Sequence, residues 1–350
     1  MWPMPELGRS VYLTSFESQR PAFQRDAGSS SPVFLSLHMS EEFSSDYCRR
    51  AEEACRWLAG QGYRIIGDVS VKTMEQFGER DLGALAQRLG LWALRVDYGL
   101  SEEETAALAR QFPVILNAST ISPTAARRIA DGAVKVMAMH NFYPRPETGL
   151  DDAFFRKTTR ALREAGLSVL AFIPGDEELR GPLHLGLPTI ERHRGLPPSA
   201  CFADLAVNFG VEEIFVGDPG LSLREEARIR RFCREGILEI PAMLAEPYRA
   251  LYGRVFTNRA DSPAGLIRFA ESRTYSCFGE AVAPGNCNLR KAGSVTLDNS
   301  RYGRYSGELQ LTLGDRDPDD RVNVIGQVEE GYLLLAQSIR RGAKFCLTPD

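Results

Sequence analysis

The chain is poor in the residues that mark several protein classes. Its seven cysteines, at positions 48, 55, 201, 233, 277, 287 and 346, are odd in number and form no C-x-x-C pair. That argues against a disulfide framework or a zinc site and for buried, reduced thiols. Histidine is scarcer still, with four in 350 residues. His38 and His140, with acids nearby, leave a metal reading open, but no helical stretch carries an i, i+4 histidine pair and no metal is expected. No run approaches the roughly 18 apolar residues of a membrane span. The start, Met1-Trp2-Pro3-Met4-Pro5-Glu6, has neither the basic residues nor the apolar core of a signal peptide, so a cytoplasmic location is expected. An excess of positive charge is missing too. Lys and Arg total 42 against 46 Asp and Glu, for a net charge of −4, which excludes an electrostatic grip on nucleic acid or an anionic membrane.

Several signatures are also absent. No G-x-G-x-x-G or P-loop follows any apolar run, which weakens a nucleotide-binding reading, and no cofactor is expected. There is no G-x-S-x-G elbow, and no Ser/His/Asp triad can be placed by spacing. Cys201 and Cys233 fall on helical stretches, where burial is the default.

What is present is a repeat of short apolar run, polar turn and amphipathic stretch from residue 7 to about 236. The runs are Ser10–Leu13, Val33–Leu37, Arg64–Val69, Leu91–Val96, Val114–Leu116, Val134–Met139, Ser168–Ile173 and Glu213–Gly217. Eight such strands alternating with helices predict an α/β fold, a closed (β/α)8 TIM barrel, with an open doubly wound sheet as the alternative. Ser101-Glu-Glu-Glu104 and Ser222-Leu-Arg-Glu225 read as capping boxes, and Ser122-Pro123 as an N-cap followed by proline. The first repeat is weak: between Phe16 and Pro32, Ser, Gln, Arg and Gly replace a clean apolar face, so that crossover is expected to be short or poorly ordered. Beyond residue 236 a Pro- and Ala-containing connection, Ile237–Gly253, leads to short alternating strands at Ser294–Leu297, Gly307–Leu313 and Arg321–Val328. Two domains follow: a barrel over 1–236, then a linker and a small β-rich domain over 237–350.

Barrel enzymes keep their reactive groups at the carboxyl ends of the strands. Those positions hold His38 with Glu41 and Glu42, Asp68, Asp97, Asn117, His140 with Asn141, Asp176 and Asp218. A lone aspartate after a strand is ordinarily a turn or cap residue, but here nearly every strand closes on a polar or acidic residue. Neighbouring strands lie about 4.8 Å apart. Carboxylates at Asp68 and Asp97 can therefore interact, and split carboxylates suit glycoside chemistry. After strand six, His140-Asn-Phe-Tyr-Pro-Arg-Pro-Glu-Thr-Gly149 is stiffened by two prolines. It presents Arg145, whose guanidinium suits a phosphate or carboxylate, and Glu147. His184 and His193 are assigned no role beyond loop structure.

The runs Leu116-Asn-Ala-Ser-Thr-Ile121, Met139-His-Asn-Phe-Tyr-Pro-Arg-Pro-Glu-Thr-Gly-Leu150 and Ala171-Phe-Ile-Pro-Gly-Asp176 resemble those of the MupG-type 6-phospho-N-acetylmuramidases. So do Arg180-Gly-Pro182, Gly186-Leu-Pro-Thr189, Glu191–Arg194, Ala292-Gly-Ser-Val-Thr-Leu-Asp-Asn299 and Tyr302-Gly-Arg-Tyr-Ser-Gly-Glu-Leu309. The resemblance covers nearly the whole chain, in order. It implies a TIM barrel with a C-terminal cyclophilin-like β domain. It also implies hydrolysis of a 6-phosphorylated N-acetylmuramyl–N-acetylglucosamine disaccharide in cell-wall recycling. The candidate catalytic pool is Asp68, Asp97, Glu147 and Asp218. Arg145 and Arg180 are candidate contacts for phosphate or the lactyl carboxylate, alongside His38, Asn117, His140, Asn141 and Asp176. Arg290, Arg304 and Tyr305 are candidates from the second domain. The alternatives are a phosphosugar aldolase or isomerase, for which Lys135 is the one obvious strand lysine, and a non-catalytic sugar-phosphate sensor.

Overall fold

Parallel strands covered on both faces need apolar side chains on both, and Ile65 and Ile66, adjacent in sequence and both fully buried, meet that need. In the computed structural model, which describes residues 4–37, 46–96, 99–274 and 282–349, eight such strands pair in parallel in chain order and close on themselves. They are β1 (Glu6–Val11), β2 (Pro32–Ser36), β3 (Arg64–Val69), β4 (Ala93–Val96), β5 (Val114–Asn117), β6 (Val136–Met139), β7 (Ser168–Ile173) and β8 (Glu213–Val216). Closure comes from β8 pairing with β1. The fold is therefore the TIM-type barrel, not the open sheet.

Period-two alternation sends every second strand residue inward. Phe34, Ile66, Ala93, Ile115, Met137, Met139, Leu170, Phe172 and Phe215 form the interior cluster. Phe215 is accommodated because β1 carries Gly8 opposite it, where a Cβ would lie 2.4 Å from the ring. At the upper end Phe142 stands edge-on to Phe172, centroids 5.1 Å apart, so the interior ends in an aromatic floor.

The first crossover differs from expectation. It contains a ten-residue helix, Phe16–Arg25. Pro21 in its middle and its polar composition hide it in the sequence, but Phe16 and Phe23, two turns apart, anchor one face. Phe16 packs edge-on to Trp57 at 5.6 Å and Phe23 to Tyr63 at 5.4 Å. Burying two such rings contributes roughly 1.5–3 kcal/mol each. The Ser101–Glu104 capping box forms in both directions, and Ser122 caps the next helix from its Oγ. The Ser222 N–H donates to Asp176, while Glu225 accepts from Ser199, Arg228 and Tyr332.

Contacts divide the chain into two units, one of residues 1–198 and 209–222 and the other of 199–208 and 223–350. The second is built on a seven-stranded mixed sheet of β9 (Ile237–Leu244), β10 (Val255–Thr257), β11 (Leu266–Arg268), β12 (Ser294–Asp298), β13 (Leu309–Thr312), β14 (Val322–Val328) and β15 (Lys344–Thr348). The order is β10-β15-β9-β14-β12-β13-β11. Residues 237–244, expected to be linker, instead form an interior strand, parallel to β15 and antiparallel to β14. Leu238, Ile240, Ala242 and Leu244 turn into that unit's core. Among the described residues no helix is long and apolar enough to cross a membrane.

Candidate active site

The alternation that fills the barrel also sets its rim. Asp68 stands two residues beyond the interior Ile66, Arg95 two beyond Ala93, and Asn141 two beyond Met139. Asp68 and Arg95 are register partners on β3 and β4 and are each 4% exposed. Nη1 of Arg95 donates to Oδ1 of Asp68 at 2.6 Å. Its other terminal nitrogen donates to Oδ1 of Asn141. Ser36 on β2 approaches the second Asp68 oxygen at 3.4 Å. A buried carboxylate is thus held by one arginine that also reaches the β6 loop.

Arg95 is not among the residues the sequence points to. Its signal is nonetheless there: a charged residue within an otherwise apolar strand run, at an inward-facing position.

The β6 loop is clasped from outside by residues 186–194. Thr189, fully buried, accepts from the Phe172 N–H and donates to the Asn141 carbonyl, both at 2.9 Å. Glu191 accepts from the N–H groups of Glu147 and Gly149 at 2.9 and 2.8 Å. Arg194 grips the Glu191 carboxylate through two nitrogens at 2.7 and 2.9 Å and donates to the Tyr143 carbonyl at 2.9 Å. That paired grip, aided by the two backbone donors, holds the Glu191 carboxyl down at about 2. Gly149 is needed for the approach, since a Cβ there would meet the Glu191 backbone at 2.9 Å. Glu191 and Arg194 lie within one of the family-like runs, but the sequence alone gives them no role.

The other candidates take varied places. His140 is wholly buried against Phe155, centroids 4.5 Å apart, and shares a hydrogen bond with Thr159 at 3.1 Å. Burial pushes its imidazole down to about 3, so it is neutral and supports the loop from behind. Asn117 closes a turn, its Oδ1 accepting from the Ser119 N–H at 3.0 Å. Glu147 is exposed and has a φ of 68°. Arg145 is exposed on the clasped loop. Asp176 accepts from Ser222 at 2.8 Å. His38 and Asp97 lie outside the described residues, as do Glu41 and Glu42.

Asp218, after β8, is 2% exposed and takes three backbone donors. Gly175 and Leu187 each approach at 2.9 Å, and Arg180 at 3.0 Å. Burial raises its pKa, and those three N–H groups pull against the rise. Its oxygens accept these backbone hydrogen bonds, which fasten the β7 loop. Beside it, loops after β1, β7 and β8 enclose a cleft of about 340 Å³ that includes Tyr12 and Arg180. The Arg180 guanidinium lies 5.1 Å from the centre of the Tyr12 ring.

In the second unit, Arg290 donates twice to the Asp317 carbonyl, at 2.9 and 2.7 Å. Arg304 lies over Tyr305 and donates to its hydroxyl at 2.8 Å. Among the described residues no group of three or more His, Cys, Asp or Glu is gathered as a metal site. Lys135 immediately precedes β6, at the opposite end of the barrel from the rim, with its ammonium over Trp92. A Schiff-base aldolase would need a lysine at the mouth.

Two family models match the chain. The one for the N-terminal part of the 6-phospho-N-acetylmuramidases matches residues 7–231, and the one for the C-terminal part matches residues 239–348. A conserved Enterococcus faecalis protein of unknown function is 30% identical with a TM-score of 0.83, over 99% of this chain and 96% of that one. An uncharacterised B. cereus protein is 22% identical with a TM-score of 0.79, over 98% and 99%. No curated protein matches.

Proposed function

The chain belongs to the 6-phospho-N-acetylmuramidase family, and from that premise we propose that it hydrolyses a 6-phosphorylated N-acetylmuramyl–N-acetylglucosamine disaccharide during cell-wall recycling in the cytoplasm. The observation that carries this reading is the buried Asp68 carboxylate at the barrel rim, held by Arg95 with Asn141 beside it.

Glycoside hydrolysis adds water across the C–O bond. One carboxyl group protonates the departing oxygen, and a second carboxylate attacks the anomeric carbon or activates the water. Asp68 is suited to the second of these roles, because Arg95 fixes its orientation and an aligned carboxylate loses little entropy on reaching the reacting geometry. Asp97 is the proposed acid. It follows the fourth strand in the sequence, and barrel enzymes keep their reactive groups at the carboxyl ends of their strands. Glu147 remains a candidate for that role from the β6 loop. Arg145 and Arg180 supply the cations for an anionic sugar.

The test is to incubate the protein with the phosphorylated disaccharide and follow release of 6-phospho-N-acetylmuramic acid and N-acetylglucosamine. Cleavage by the wild type, reduced on the order of a hundredfold or more in Asp68→Asn and in Asp97→Asn, is expected. Binding without cleavage would favour a sugar-phosphate sensor. Full turnover in both variants would remove the assignment of these carboxylates.

A further inference from the structure

The family resemblance names a phosphate on the substrate but not where it sits, and the cleft after β1, β7 and β8 offers a place. Its lining includes Tyr12, Thr14, Ser15, Arg180, Gly181 and Pro219. Arg180 is carried on the β7 loop, and that loop is unusually well anchored. Asp218 accepts the backbone N–H of Arg180 itself. The β7 and β8 turns also touch backbone to backbone: a Cβ on Gly175 would stand 2.1 Å from the Gly220 carbonyl, and one on Gly220 would stand 2.2 Å from the Glu178 nitrogen. The guanidinium lies over the Tyr12 ring, and Tyr12 is itself buried, its hydroxyl donating to the Gly217 carbonyl. A cation held over a fixed ring keeps its forked donors pointed one way.

The cleft lining is also hydroxylic. Thr14 and Ser15 lie in the turn after β1, where Ser15 occupies the N-cap of the Phe16–Arg25 helix without folding its hydroxyl back onto that helix. A forked cation and two hydroxyl residues lining one cleft match a phosphate monoester, whose terminal oxygens take several charge-assisted hydrogen bonds at once. The carboxylate bordering the cleft, Asp218, has its oxygens turned to backbone donors, which limits its repulsion of an anion.

We propose that this cleft binds the 6-phosphate of the substrate, so that the sugar spans the barrel mouth with its phosphate toward β1, β7 and β8 and its scissile bond toward the Asp68–Arg95–Asn141 cluster of β3, β4 and the β6 loop. This rests on the hydrolase reading for the scissile bond but not for the phosphate. Arg180 becomes the residue that distinguishes phosphorylated from unphosphorylated sugar. Arg145, on the loop after the neighbouring strand β6, is left for the lactyl carboxylate. Binding energy gathered at the phosphate orients a bond that the phosphate does not touch.

The experiment compares wild type, Arg180→Met, Arg180→Lys and Ser15→Ala. All keep the backbone N–H that Asp218 holds. Calorimetric titration with 6-phospho-N-acetylmuramic acid and with N-acetylmuramic acid measures discrimination, and orthophosphate serves as competitor. Arg180→Met is expected to weaken phosphosugar binding on the order of tenfold or more, the worth of a charge-assisted contact. It should leave N-acetylmuramic acid unchanged and abolish competition by orthophosphate. Arg180→Lys should recover part of the loss, and Ser15→Ala should weaken the phosphosugar a few-fold. If Arg180→Met does not fold, the Ser15→Ala result decides alone. Undiminished preference for the phosphosugar in the variants overturns the inference, even if the disaccharide is cleaved. Loss of preference in a protein that cleaves nothing upholds the cleft and overturns the hydrolase reading instead.

Discussion

Both units bury a carboxylate at a strand end, and they treat it in opposite ways. In the barrel, Asp68 at the end of β3 meets Arg95 on the next strand at 2.6 Å. In the β unit, Asp298 at the end of β12 is 4% exposed and is joined through its backbone to Glu308 on the neighbouring chain segment. The nearby arginine, Arg268, pairs with Glu308 at 2.7 Å. Burial, and then the Glu308 charge, push Asp298 up to about 7. A barrel draws neighbours from separate strand–helix repeats, so each rim position can carry its own partner. Two antiparallel strands oppose whatever their register dictates, and here it opposes two acids, which is destabilising when both ionise.

The largest test of this contrast removes the barrel's cation. Arg95→Met leaves Asp68 buried without its arginine and is expected to cost about 3–5 kcal/mol. Asp68→Leu combined with Arg95→Met should recover most of that stability while remaining inactive. Trp57 and Trp92 belong to the barrel unit, and no tryptophan lies beyond residue 92, so tryptophan fluorescence during urea denaturation reads it. A double variant no more stable than the single would show that the pair is not the source of the cost.

His140 comes next. Its folded pKa of about 3 lies below the ordinary 6.5, so below pH 6.5 the unfolded chain takes a proton that the folded one refuses. Stability attributable to His140 is complete above about pH 6.5 and declines as pH falls toward 3, by up to about 1.4 kcal/mol per unit. His140→Gln should flatten the slope of the fluorescence-detected urea midpoint between pH 6.5 and 5. An unchanged slope would place the titration elsewhere.

Asp298 has the reverse sign. Its raised pKa means that its contribution is complete below about pH 4 and is lost as pH rises through about 7. Asp298→Asn should therefore strengthen the β unit at pH 8 by roughly 1–2 kcal/mol, with the gain shrinking through pH 5 and vanishing below about pH 4. Amide exchange in β12 to β14 is the readout, and equal protection at pH 8 would count against it. The smallest effect expected is for Arg194→Lys, which keeps the charge but loses the two-pronged grip on Glu191. The β6 loop should loosen by about 1 kcal/mol, seen as faster exchange at Glu147 and Gly149 with turnover falling beside it. Unaltered exchange would mean that the clasp does not need its fork.

Much of the barrel is legible in the sequence because its rule is local. Apolar runs such as Ser168–Ile173 and Arg64–Val69 coincide with β7 and β3, and the Ser101 and Ser122 caps act within one turn of their own helices. The helix after β1 is hidden because two aromatic rings, not a continuous apolar face, hold it down. Strand β9 is hidden because Pro241 reads as a connection until β14 and β15 supply partners on either side. At the rim, acids are visible as residue types, but the arginine that holds one of them is concealed inside an apolar run.

The amino-acid sequence by itself determined the count and direction of the barrel strands, which side chains face inward, and which family the chain resembles. Each follows from spacing and short-range propensity. Tertiary structure alone decided that Asp68 is held by Arg95, that Asp218 is turned to three backbone donors, that residues 186–194 clasp the β6 loop, and that Arg180 meets Tyr12 across the β1–β7–β8 cleft. Those pairings join residues 27 to 168 positions apart, and only closure of the barrel brings such positions within hydrogen-bonding or stacking reach.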